Sequence, residues 1–143
     1  MANKVSGGIV TIGLWLALLG HPAISQDAHS SPDARALIER QLDAFAHDDA
    51  PAAYAFAAPG IKQIFPDPSV FMSMVRQQYT PVYHHRSVEF GPSQVSDDEI
   101  GQAVTFTDSD GQVWTAHYAL EKQSDGQWAI AGCVMQKSAD KAL

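Results

Sequence analysis

The hydrophobic period of this chain changes once, at Pro81, and that change limits the folds open to it. Before Pro81 the apolar residues recur at helical spacing. Ser31-Pro32-Asp33 is a helix start, with a capping hydroxyl, Pro at the first position and an acid in the first turn. Ala34, Leu37, Ile38, Leu42 and Phe45 follow on one side, with Arg35, Glu39, Arg40 and Asp43 on the other. The spacing predicts a helix over 32–47. Asp49 caps a second over 50–58, stopped by Pro59-Gly60, and Ile61 to Phe65 makes a short apolar turn. Asp67-Pro68 opens a third helix whose apolar face is Val70, Phe71, Met74, Val75 and Tyr79.

After Pro81 the period is two. Strands are predicted over 84–90, 101–107, 113–122 and 128–136. Arg86, Val88 and Phe90 share one face of the first, and Val104 and Phe106 one face of the second. Trp114, Ala116, Tyr118 and Leu120 alternate with Thr115, His117, Ala119 and Glu121 in the third, and Trp128, Ile130 and Val134 share a face of the fourth. Asp-Gly turns at 108–111 and 124–126 make these strands an antiparallel meander. Helices followed by strands imply an α+β domain, with the helices packed on a curved sheet. The order resembles the NTF2-like cone, in which an N-terminal helical layer closes the mouth of such a sheet.

The charge balance narrows the partners. Sixteen acidic residues stand against nine basic ones, the wrong sign for a nucleic-acid binder. At 45% hydrophobic residues the chain has the apolar content of a folded domain rather than a disordered one. One cysteine, Cys133, cannot form an internal disulfide. Much of the apolar content sits in residues 7–19, GGIVTIGLWLALL, preceded by Lys4 and followed by Ala23 and Ser25. This is the pattern of a secretory signal peptide over residues 1–25, with cleavage after Ser25. The alternative, an uncleaved anchor, needs roughly 20 apolar residues to span a bilayer, and Pro22 breaks the run. The expected organisation is therefore a signal over 1–25, a flexible leader over 26–32, one domain over 33–136 and a tail over 137–143. The expected location is the periplasm or the medium, with no stable membrane insertion after cleavage.

Five strings carry a more specific likeness: QLDAF at 41–45, DDAPAAYAFAAPGI at 48–61, FPDPSVFMSMVRQQYTPVY at 65–83, RSVEFGP at 86–92 and GQWAIAGCV at 126–134. Together they resemble a family of small secreted bacterial proteins known as domain of unknown function 4864, found mostly in alphaproteobacteria. The resemblance covers residues 33–136. It implies a periplasmic setting and an NTF2-like fold, and it brings no established reaction, ligand or catalytic residue.

Site chemistry must then come from the residues. If Ser124-Asp125-Gly126 is a three-residue hairpin loop, His117 faces Cys133, and an imidazole beside a thiol stabilises thiolate. A two-residue loop brings Tyr118 opposite Cys133 instead. As a buried small hydrophobe, Cys133 would simply pack. Asp48 and Asp49 lie after the first helix, near the mouth of the expected cone. Fold relatives of the ketosteroid isomerase and polyketide cyclase type place acid–base residues there, whereas helix capping explains the same aspartates without chemistry. His84 and His85 point to opposite strand faces and do not chelate together, so no metal site is expected. Tyr54, Tyr79, Arg86, Trp114 and Tyr118 are the residues expected to line a ligand pocket, with apolar walls and a few polar tips. Phosphate-loop, dinucleotide, serine-hydrolase and thioredoxin motifs are absent from the sequence, and no cofactor is expected. The leading expectation is a non-catalytic module for a small hydrophobic or anionic ligand or for a protein partner, including a helper of an envelope complex. A homodimer is expected through the Ala- and Met-rich sheet face that carries Ala119, Ala129, Ala131 and Met135. The alternative is a small isomerase or cyclase with its catalytic candidates among His117, Cys133 and Asp49.

Overall fold

The computed structural model describes residues 29–141, with side chains through 139; the expected signal segment lies outside the described residues. The helices begin where the caps predict. Ser31 caps α1 (Pro32–Ala46) by accepting from the Ala34 amide, Asp49 caps α2 (Ala50–Ala55), and Asp67 caps α4 (Pro68–Gln78). The run over 59–64 is a short helix of its own, α3 (Pro59–Ile64), so α2 ends three residues before the expected Ala58. A further turn, α5 (Thr80–Tyr83), carries the chain past Pro81. On α4 the buried residues are Phe71, Met72 and Val75, while Val70, expected on the apolar face, is 51% exposed.

Four antiparallel strands follow in the order β1-β2-β3-β4: β1 (Ser87–Val95), β2 (Glu99–Thr107), β3 (Gln112–Lys122) and β4 (Trp128–Lys141). β1 starts later than the expected 84 and continues beyond the expected Phe90. Its ladder skips at Gly91-Pro92, where proline has no N–H to donate. Arg86 and Val88 are exposed, and Phe90 is half-buried beneath the Arg35 guanidinium. Two further expectations are corrected by hydrogen bonds. The end of the leader is held: Ser31 is buried, and its amide donates to the Gln102 side chain. The tail is strand as far as Lys141, and Gln112 donates to the Ser138 carbonyl.

The last hairpin shapes the sheet. Gln123 donates to the Gln127 carbonyl across Ser124-Asp125-Gly126, so the loop has three residues as read, with Gly126 at φ 83°. Lys122 pairs with Trp128 and Leu120 with Ile130, but Ala119 pairs with Gly132. Ala131 is thus an extra residue, a β-bulge, and the register beyond it slips by one. A one-residue slip exchanges the faces. Cys133 and Met135 turn inward against the core, and Val134 turns outward, 68% exposed. The face expected to mediate a dimer therefore loses Met135 and gains Val134.

The core lies between α1, α4 and the inner face of the sheet. Ile38, Phe45, Met72, Val104, Phe106, Ala116 and Leu120 are its buried centre. Beside the bulge, the edge of β4 is covered. The Ile130 amide donates to Phe56, and its carbonyl accepts from the Ala58 amide, each at 2.8 Å.

Candidate functional site

A cavity of about 320 Å³ opens between the helical layer and the outer half of the sheet, near the small end of the roughly 300–1,000 Å³ range of ligand pockets. Gln41 and Phe45 reach it from α1, and Phe71, Met74, Val75 and Gln78 from α4. Ile61 and Phe65 wall its rim, with Tyr79 and Val82 beside them. The floor is Tyr118 and Ile130, with Gly132 and Cys133 from the stretch just past the bulge, and Val134, whose side chain turns outward, borders it. None of these residues is Asp, Glu, Lys, Arg or His.

The polar atoms in the wall are few. The Tyr79 hydroxyl donates to the Cys133 carbonyl at 3.0 Å, and the Gln41 amide donates to Ala53 at 3.3 Å. The Tyr118 hydroxyl is buried beside the Cys133 thiol without a well-formed hydrogen bond to any protein group. Burial pushes the Cys133 thiol up to about 12, against a weaker downward pull from Tyr118. Burial likewise raises Tyr118 well above a phenol's ordinary value, and raises Tyr79. Every ionisable side chain in this wall is therefore held neutral at physiological pH.

The expected site residues are dispersed. Tyr79 and Tyr118 line the cavity. Tyr54 stands behind the wall: its hydroxyl donates to the Phe65 carbonyl at 2.6 Å, and its ring packs on Phe71. Arg86 and Trp114 line a different, wider cleft together with His84, His85, Asp108 and Asp110. The Trp114 indole there donates to Asp108 at 2.9 Å, and Asp108 also accepts from the Asp110 and Gln112 amides. Those bonds commit the Asp108 carboxylate to closing the turn.

The His117–Cys133 pairing is corrected by the bulge. Tyr118 pairs with Cys133, while His117 pairs with Val134 on the exposed outer face. Asp49 spends its carboxylate on the Ala52 amide at 3.0 Å. Asp48, at φ 56°, accepts from Arg76 and from the Tyr83 hydroxyl on the surface. Those bonds, Arg76 first, hold its carboxyl below the usual range. His84 packs against Tyr83 and His85 against Phe106. Among the described residues, no three of His, Cys, Asp and Glu converge to hold a metal ion, and no helix is long and apolar enough to cross a membrane.

Gln41 and Gln78 are cavity residues that the sequence reading passed over. Gln41 left a signal, since it sits at apolar spacing between Leu37 and Phe45 and is 4% exposed. Cys133, a reactive candidate on sequence grounds, is part of the floor.

The comparisons bear on the fold and the family. The chain is similar to a solved NTF-2 like protein of unknown function from Silicibacter pomeroyi DSS-3. The two share 15% identity over 74% of this chain and 93% of that one, with a TM-score of 0.51. At that identity the likeness speaks for the fold alone, and it agrees with the helical layer and open four-stranded sheet described above. No curated protein matches the chain. The family described as Domain of unknown function (DUF4864) matches residues 27–143. With those residues matched and that architecture in place, the chain belongs to the DUF4864 family and has an NTF2-like fold.

Proposed function

We propose that this protein is a non-catalytic binding module that takes a small, uncharged, largely apolar molecule into the cavity between α1, α4 and the sheet. The observation that carries this reading is the wall itself: about 320 Å³ lined by aliphatic and aromatic side chains, with no charged residue. Burying an ion there would cost its hydration with no counter-charge to replace it, so the anionic ligand considered from the sequence is disfavoured. The isomerase alternative needs a general base within hydrogen-bond reach of the substrate. Asp48 and Asp49 are engaged on the surface instead, and the cavity's own Tyr79, Tyr118 and Cys133 hold their protons.

We place this module in the cell envelope. The pattern of residues 1–25 supports that reading, as does a family match that begins at residue 27, just past the expected cleavage after Ser25. Mass spectrometry of the exported protein is expected to find Gln26 first.

Titration with the neutral fluorophore N-phenyl-1-naphthylamine tests the cavity. Saturable enhancement with one site per chain is expected, together with a rise in Tm. Met74→Trp, which fills the half-buried helical wall, is expected to weaken the binding while the chain stays folded. Folded wild-type protein that gives no saturable signal would overturn the reading.

A further inference from the structure

Gln41 is 4% exposed and stands on the buried side of α1, between Leu37 and Phe45. A methionine there would complete an apolar face without burying an amide, so the amide calls for a reason. Ala53 supplies half of one. Its carbonyl accepts from the Gln41 nitrogen at 3.3 Å, and because a carbonyl needs a donor, that bond settles which end of the amide is which. Among the described residues, nothing donates to the Gln41 Oε1. Nor is that oxygen sealed in the core. Among the described residues, the Tyr118 hydroxyl alone is a side-chain polar atom both buried and unpartnered, so the Gln41 oxygen keeps open surface. The space that Gln41 borders is the cavity.

We infer that Gln41 is the polar anchor of the cavity, and that the molecule bound there is neutral and apolar, with one hydroxyl that donates to the Gln41 Oε1. This rests on the cavity being a ligand site. A ketone or an ether would set lone pair against lone pair at that oxygen. An ammonium would bring a charge with no Asp or Glu in the wall to meet it. The bond to Ala53 holds the amide in place before a ligand arrives, so little side-chain freedom is lost on binding.

Two naphthalenes of matched shape test the anchor: 2-naphthol and 2-methylnaphthalene, in which a methyl replaces the hydroxyl. Displacement of bound N-phenyl-1-naphthylamine gives the affinity of each. Wild-type protein is expected to bind the naphthol at least as tightly as the methyl compound, although the hydroxyl costs more to take out of water. In Gln41→Met, which keeps the volume, the naphthol is expected to fall about tenfold relative to the methyl compound, the scale of one buried hydroxyl left unpaired. The ratio is taken within one protein, so a general weakening of the variant cancels. A wild type that binds the naphthol about tenfold more weakly than the methyl compound would overturn the anchor and leave the cavity reading standing. A ratio unchanged in Gln41→Met would do the same, and if that variant does not fold, the wild-type comparison decides alone. Failure of both compounds to displace the fluorophore would overturn the cavity reading and the anchor with it.

Discussion

At the scale of single residues, Cys133 shows how position decides chemistry. Beside an imidazole, a thiol gains thiolate character; on an apolar floor it loses it. Here burial raises its pKa from 9.0 to about 12, which lowers the thiolate fraction at neutral pH about a thousandfold. Iodoacetamide labelling of the folded protein at pH 7, followed by mass spectrometry, is therefore expected to run slower than a free thiol by that order. The rate should go on rising about tenfold per pH unit beyond pH 9, where a thiol of ordinary pKa levels off, and His117→Ala should leave it unchanged. A neutral-pH rate equal to that of a free thiol would contradict the burial. Linkage gives a second consequence. The folded thiol holds its proton more tightly than the unfolded one, so its contribution to stability is complete below pH 9. That contribution is lost as the pH rises through about 12.

Between elements, the telling contact is a buried amide. Gln102 is 1% exposed. Its carbonyl oxygen accepts from the Ser31 amide at 3.1 Å, and its nitrogen donates at 2.8 Å to both Gly91 and Ala103. One side chain thus ties the cap of α1 to the irregular stretch of β1 and to its own strand. Gln102→Leu keeps much of the volume but leaves the Ser31 amide and the Gly91 carbonyl without this partner. A loss of about 2–6 kcal/mol is expected, since each of the two unsatisfied buried groups costs roughly 1–3 kcal/mol. Urea denaturation measures it through the midpoint, and a loss well under 1 kcal/mol would show that water takes over both groups. The alternation of β2 already marked the position. Gln102 shares a face with Val104 and Phe106, so a polar residue stood where the pattern asked for an apolar one.

Across the whole molecule, the helical layer is held together by aromatic contact, and the same contact builds the cavity. The Phe71 ring lies 6.5 Å from Phe45, 5.6 Å from Tyr54 and 6.4 Å from Phe65, so it joins α1, α2 and the end of α3 to α4. Such ring pairs add to the stabilisation from burial alone. Phe71→Ala is expected to cost about 3–5 kcal/mol, a large share of the roughly 5–15 kcal/mol that stabilises a domain. Phe71→Leu should cost much less. Urea midpoints for the two variants provide the check, and equal losses would mean that the ring contacts, rather than apolar volume, carry the whole effect. The cavity lies against this cluster, where the helices and the outer strands part.

Local physics was enough for much of this protein. The caps at Ser31, Asp49 and Asp67, the prolines that follow them and the change of period at Pro81 determined the elements and their order. They also determined the α+β class, because an amphipathic run shows its inner face in its own spacing. The five family strings pointed to the NTF2-like fold that the comparison supports. The site was another matter. Whether Cys133 faces His117 or Tyr118 turns on the extra residue Ala131, and alternation in the sequence does not reveal a bulge between Ile130 and Gly132. The neighbouring Ile130 binds the 56–58 segment from the far side of the strand, a contact more than 70 residues distant in the chain. Register past that point is a property of the assembled sheet, and only tertiary structure decided which side chains line the cavity and which groups stay unpaired within it.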